Sequence, residues 1–416
     1  MMMRKTTLIV TFAALAFAAG CGKKKDEPKK TPPVTTPTTP TTPTATTPTP
    51  VTPPPAPVPL VGEALGKRFI ECHGYWSASD KEKFKGCYAK DATSRFVDSM
   101  MPELKGTDAI VGNAMDFHAA FPDGKNVPQL VLVNGRNVAS VVWFTGTNTA
   151  PMKMGGQEMP ATGKKVGMNM LHMVTFNDAN QATEEWWLMD DTTLGTQLGM
   201  PGSEGGRPVA DKGMEGAPKI VVASDSDAEK ANHASYQKAT ASFNSHDLKA
   251  MMADWAPDAV ESDQASPADT VGTKDIEKNT KMFLTAFPDG KLTTLKSWAA
   301  GDYVVAVGTF TGTNTGAMGP MKKTGKPVSL TVGEVTHLEA GKVKHLWRFY
   351  NGHSMAVQLG WAPDPSKMAP PAGGSTGSAA GSGMGSMDHS GSGMGSMHHG
   401  TGSATGSAGT ATPATK

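Results

Sequence analysis

His172 and the pair Asp190–Asp191 have the residue types that proton chemistry requires. An imidazole held by a carboxylate titrates near neutrality, which suits removal of a proton beside a carbonyl. The competing reading puts His172 on an outer sheet face and both aspartates at the start of a solvated loop. A second set, Glu334 with His345 and Asn351, offers similar chemistry with fewer ionisable groups. There the alternative places His345 on an edge among exposed Lys342 and Lys344. His118 belongs either at a pocket mouth or in packing. Trp143, Trp187 and Trp347 are candidate walls for a flat ligand, with core packing as their other role. Far down the chain, Met384, Met387, His389, Met394, Met397, His398 and His399 recur within a Gly/Ser repeat. Thioethers suit Cu(I) and imidazoles suit copper or zinc, so copper is the one cofactor suggested, although repeat expansion yields the same composition. The sequence has no HExxH, paired CxxC, Walker or Rossmann glycine pattern.

The elements that must position these residues come in duplicate. Ala120-Phe121-Pro122-Asp123-Gly124-Lys125 returns as Ala286-Phe287-Pro288-Asp289-Gly290-Lys291. At the same offset Phe144-Thr145-Gly146-Thr147-Asn148-Thr149 returns as Phe310-Thr311-Gly312-Thr313-Asn314-Thr315. One domain has been repeated, over residues 62–200 and 227–362, with 201–226 as a Gly- and charge-rich linker. Each copy is long enough for its own core. In the second copy, helical spacing predicts a helix over 229–244, and Asp247 caps a short one reaching Trp255. A third opens at Gly272 and ends at Phe287-Pro288. Alternating residues then predict strands over 291–300, 303–311, 326–338 and 343–350, with a hairpin turn at Glu339-Ala340-Gly341-Lys342. Three helices packed on a four-stranded antiparallel meander make an α+β domain.

These motifs, with Thr324-Gly325-Lys326-Pro327-Val328 and His345-Leu346-Trp347, resemble the SnoaL-like polyketide-cyclase (ester-cyclase) branch of the nuclear-transport-factor-two-like superfamily. The resemblance implies two tandem cone-shaped half-barrels, each with an apolar pocket between helices and a curved sheet. It also implies a pocket carboxylate that moves a proton on a polyketide-like substrate. Relatives carry Trp-x-x-x-Asp on the last strand, which selects Asp191 after Trp187; alignment on Gln197-Leu198-Gly199 and Gln358-Leu359-Gly360 selects Asp190. The second copy has Asn351 in that region and keeps Glu334 where the first has His172. Its losses favour a binding module for a small apolar or aromatic ligand. The alternatives are a cyclase- or isomerase-like enzyme working through the first copy, and copper handling through the tail. Relatives imply pairing, either between the two copies or in a homodimer.

The ends speak of export. Arg4 and Lys5 precede an apolar run from Leu8 to Ala19, too short for the roughly 20 residues of a membrane span. Ala18-Ala19-Gly20-Cys21 resembles a bacterial lipobox, with Ala18 in place of the usual Leu. Cys21 would then carry the lipids that anchor residues 22–416, and Gly22 fits an outer-membrane destination. Residues 22–61 are rich in Lys, Pro and Thr, a stalk with a reach on the order of 100 Å at about 3.1 Å per residue. Residues 363–416 read as a disordered Gly/Ser/Met/His tail. Cys72 and Cys87 remain, and an oxidising compartment permits them a disulfide or leaves two buried thiols. A net charge of +1 argues against nucleic acid as a partner.

Overall fold

The computed structural model describes residues 57–154 and 157–363. Cys21, most of the stalk and the Met/His tail residues, Met384 through His399, lie outside them. The first domain runs α1 (Glu63–Ser77), α2 (Lys81–Lys85), β1 (Tyr88–Phe96), β2 (Leu104–Lys105), α3 (Thr107–Ala120), β3 (Lys125–Asn134) and β4 (Asn137–Thr147). It continues with β5 (Met152–Met154), β6 (Gln157–Met159), β7 (Lys165–Phe176), β8 (Ala182–Leu188) and α4 (Asp191–Leu198). The connector supplies β9 (Lys219–Val222). The second domain repeats the plan as α5 (Asp227–Asn244), α6 (Leu248–Met252), β10 (Trp255–Asp263), β11 (Thr270–Val271) and α7 (Thr273–Ala286). Then follow β12 (Lys291–Ala300), β13 (Tyr303–Thr313), β14 (Pro327–Glu339), β15 (Lys342–Phe349) and α8 (Gly352–Leu359).

The main sheets are ordered β2-β1-β8-β7-β4-β3-β9 and β11-β10-β15-β14-β13-β12. Both are larger than the four-stranded meander expected, for a local reason. β1 and β10 pair in parallel with β8 and β15, across a register shift. Trp255-Ala256-Pro257-Asp258 lacks strand-like alternation, and Pro257 cannot donate to a ladder, so the segment hides its strand character. The short helix before it ends at Met252 rather than at Trp255. The connector, read as a linker, adds β9 in parallel to the edge strand β3.

The repeated motifs hold this scaffold together. Asp123 Oδ1 accepts the Thr147 N–H at 2.6 Å, and Asp289 Oδ1 accepts the Thr313 N–H at 2.7 Å. Each bond ties the turn after the long helix to the end of the second meander strand. Gly146 lets the two segments approach closely there, since a Cβ would lie 3.1 Å from the Gly124 Cα. Asn148 Oδ1 accepts the Thr162 N–H at 2.7 Å, and Asn314 Oδ1 accepts the Thr324 N–H at 2.8 Å. The family motif thus stabilises loops in both copies.

The outer faces of the two sheets pack on each other. Leu130, Leu132, Val141, Leu171 and Leu188 of the first domain form one buried cluster with Tyr303, Val305, Val307, Val335 and Phe349 of the second. The approach is close enough that a Cβ on Gly333 would meet Leu171 at 2.5 Å and Leu188 at 2.9 Å. Lys296 Nζ bonds Glu184 Oε2 at 2.7 Å across the same boundary. With their outer faces covered, each sheet has only its concave face left to enclose a cavity.

Candidate active site and ligand pockets

The first domain encloses a cavity of about 220 Å³ between α1, α3 and the concave face of its sheet. Phe69, Trp76, Phe144, Met168, Met170 and Trp187 supply apolar wall. Into it project His73 from α1, Tyr88 from β1, His172 from β7 and Glu185 from β8, all buried. The His73 Nε2 lies 3.1 Å from the His172 Nδ1, and the His172 Nε2 lies 3.0 Å from the Glu185 Oε2. The Tyr88 hydroxyl donates to the same Glu185 oxygen at 3.0 Å. Trp187 stacks flat on His172, with centroids 3.6 Å apart.

Burial sets the protonation of this chain. Burial, with the neighbouring His172 charge, pushes His73 well below the usual imidazole range. His172 is lowered too, because burial outweighs the pull of Glu185. For Glu185 burial acts upward, yet hydrogen bonds and the imidazole charge prevail and hold it below the usual carboxylate range. The same burial, aided by Glu185, keeps Tyr88 protonated. An ionised Glu185 can only accept, so the neutral His172 carries its proton on Nε2 and accepts at Nδ1. His73 must then donate from Nε2. Its Nδ1 is left as a lone pair without a hydrogen-bond partner among the described residues. The result is a directed chain: His73, His172, Glu185.

The disulfide brackets this chain. Cys72 and Cys87 are bonded, joining α1 to the entry of β1, and each is the sequence neighbour of a relay member, His73 or Tyr88.

The second domain encloses a larger cavity, about 370 Å³, walled by Phe243, Phe283, Phe310, Leu330 and Met355 among others. Its polar group is different. Arg348 donates from Nε to Glu334 Oε1 at 2.9 Å and from Nη1 to Glu261 Oε1. Beside it, the Tyr350 hydroxyl donates to Asp263 Oδ2 at 3.3 Å. Burial raises Asp263 to about 6, against the attraction of Arg348 and helped by repulsion from Glu261.

Ladder registers allow a position-by-position reading. His172 faces Trp187 across its ladder as Glu334 faces Arg348, and Ser94 faces Glu185 as Glu261 faces Leu346. Phe96 likewise corresponds to Asp263. The ladder positions that carry the polar centre of one cavity thus hold different residues in the other, whereas Asn113 and Asn279 are the same residue at the same place on the long helix.

Several expectations are corrected. The carboxylate that meets His172 is Glu185, not Asp190 or Asp191. Asp190 caps α4, accepting the Thr193 N–H at 2.8 Å, and also accepts the Gly352 N–H of the second domain at 2.9 Å. Asp191 lines the first cavity, but its Oδ2 accepts from Asn351 Nδ2 at 2.8 Å. Burial raises both aspartates. Asn351 caps α8 and joins this domain–domain latch, away from the second cavity's lining. Glu334 does face the second cavity, yet its partner is Arg348. His345 bonds Ser262 Oγ at 2.8 Å and stacks on Trp347 on the opposite face. Strand alternation explains this: Leu346 and Arg348 point inward, so His345 and Trp347 point out. Trp347 corresponds to Trp186, and both pack at the interface between the sheets. Trp143 is outward for the same reason, since Phe144 faces in; its Nε1–H donates to the Ala210 carbonyl at 3.1 Å. His118 packs edge-on against Trp76, outside the lining. His172, Trp187 and Glu334 keep both their expected cavity and a place in its polar centre.

Two relay members went unread in the sequence, and each had a signal. His73 stands one turn from Phe69 and Trp76 on the buried face of α1. Glu185 alternates with Trp187 on β8, so both side chains share a face. Among the described residues no group of three or more His, Cys, Asp or Glu is set to hold a metal ion.

Several solved structures are similar to parts of this chain. AclR from Streptomyces galilaeus is 29% identical over 33% of this chain and 85% of that one, with a TM-score of 0.30. IdmH from Streptomyces antibioticus is 23% identical over 31% and 98%, with a TM-score of 0.28. A SnoaL-like protein of Jannaschia sp. CCS1 is 15% identical over 33% and 97%, with a TM-score of 0.31. No curated protein matches the chain. The family model for SnoaL-like polyketide cyclase matches residues 71–198 and again 233–359. The chain therefore belongs to the SnoaL-like polyketide cyclase family and carries two tandem copies of its domain.

Proposed function

We propose that the first domain moves a proton on a small apolar carbonyl compound, in a cyclase- or isomerase-like reaction. The His73–His172–Glu185 chain inside an apolar cavity carries this reading. A C–H acid beside a carbonyl gives its proton to His73 Nδ1, and its electron pair passes into the enolate. The Nε2 proton of His73 shifts to His172, and that of His172 shifts to Glu185. Glu185 is neutralised as the enolate forms, so the buried negative charge moves without growing. That balance matters where an uncompensated charge is costly. Trp187 and Phe144 would hold a flat substrate. The cavity is below the roughly 300–1,000 Å³ common for drug-sized ligands, so the substrate has about one ring.

The test is solvent deuterium exchange at the α-carbon of an aryl methyl ketone, followed by NMR with the full chain. The reading predicts exchange above the buffer rate, lowered about 100-fold in Glu185→Gln. Exchange no faster than buffer would refute it. The second domain lacks an imidazole in its cavity and serves as a binding domain in this account.

The chain is further proposed to be exported and tethered to the cell envelope by lipid on Cys21. The short apolar leader and the Cys72–Cys87 disulfide support this, since such bonds persist in oxidising compartments. Among the described residues no helix is long and apolar enough to cross a membrane. Metabolic labelling with a fatty acid should mark the native chain and not Cys21→Ser; equal labelling of both would end the proposal.

A further inference from the structure

We infer that the second cavity is a site for a hydrophobic organic cation, an ammonium carried on an apolar or aromatic body. The cavity's wall is apolar, but its polar end carries an excess of negative charge. Glu261, Asp263 and Glu334 converge there, and Arg348 is the one cationic side chain in the described lining. A fourth acid, Asp254, stands in the lining already neutralised by Lys238 at 3.1 Å and Lys342 at 3.5 Å. Arg348 occupies one oxygen of Glu261 and one of Glu334. Their Oε2 atoms accept no hydrogen bond from any described residue, although the Glu261 side chain is only 8% exposed. Neither Oε2 is among the sealed, unpartnered side-chain atoms of the described residues, so both remain accessible. Two left open beside a cavity leave acceptor capacity that an ammonium's N–H groups would fill. The surplus charge opposes a carboxylate ligand, even though Arg348 is present to attract one. Aromatic faces from Tyr236, Trp255, Phe283 and Tyr350 line the same space and favour a cation over a neutral molecule of equal shape. The first cavity is aromatic too but lacks this acid cluster: the positions of Glu261, Asp263 and Arg348 hold Ser94, Phe96 and Trp187. The inference is independent of the proton chemistry assigned to the first domain.

Calorimetric titration of the full chain with phenethylammonium, 2-phenylethanol and phenylacetate tests it, since the three share a body and differ in charge. The ammonium should bind at least tenfold more tightly than the alcohol, and phenylacetate most weakly. Glu261→Gln and Asp263→Asn, which keep side-chain shape, should each weaken the ammonium about tenfold and leave the alcohol unchanged. Equal or tighter binding of the alcohol or of phenylacetate would overturn the inference. So would ammonium binding untouched by both variants, or no binding of any probe at millimolar concentration.

Discussion

The two domains share a scaffold and differ in what they enclose. Asp123 and Asp289 make the same bond to a strand end, and Asn148 and Asn314 cap the same loop. Inside, one domain holds two imidazoles on a carboxylate, and the other holds a guanidinium among three carboxylates. The difference teaches that the repeated motif serves the fold. The polar groups that differ sit mostly at inward strand positions, which change without disturbing the ladders, with His73 added from α1.

The largest expected effect is on catalysis. Glu185→Gln or His73→Asn should lower α-proton exchange 100-fold or more, while Glu334→Gln in the second domain should leave it within a factor of about two. Comparable losses in both domains would erase the distinction. Next comes the disulfide, present only in the first copy. Reduction, or Cys72→Ser with Cys87→Ser, opens a link of sequence separation 15. It should cost about 3 kcal/mol in denaturant unfolding, with His73 and Tyr88 losing their fixed spacing.

Acid should act on the polar centres of the two cavities in opposite directions. His73 and His172 are depressed in the fold, so the unfolded chain takes up protons first as pH falls through about 6.5. The stability these two imidazoles contribute is therefore present above that pH and lost below it. Asp263 is raised to about 6, so the folded chain takes up its proton first. Its contribution improves as pH falls from about 6 toward 4. Asp263→Asn should accordingly stabilise the second domain by about 2 kcal/mol at pH 7.5, with the gain vanishing near pH 4. Denaturant melts at both pH values, read by amide exchange in each domain, will show whether the signs differ. The smallest effect is expected at the latch. Asp190→Ala removes an N-cap and the acceptor for the Gly352 N–H, at about 1–2 kcal/mol.

Much of the scaffold was legible in the sequence because period and punctuation encode it. The helices ending at Phe121 and Phe287 and the meander strands follow from apolar spacing and from glycine turns. β1 and β10 were not, since a parallel partner is distant in sequence and Pro257 masks the strand. The site was half legible. His172 and Trp187 stood out, whereas the Trp-x-x-x-Asp pattern drew attention to Asp191 and away from Glu185. A latch aspartate and a catalytic one look alike until the Asn351 amide is found to bond Asp191. Alternation along Thr183-Glu184-Glu185-Trp186-Trp187 would have placed Glu185 inward with Trp187. His73 needed the helix face to be weighed together with the sheet, a relation between elements that no local pattern holds.

Nitrogen-15 NMR of the imidazoles tests the central claim most directly. His73 and His172 should stay neutral, with the proton on Nε2, as pH falls from 8 through the usual imidazole range, and Glu185→Gln should disturb both signals. An imidazole of the pair titrating near 6.5, or a pair indifferent to Glu185→Gln, would contradict it.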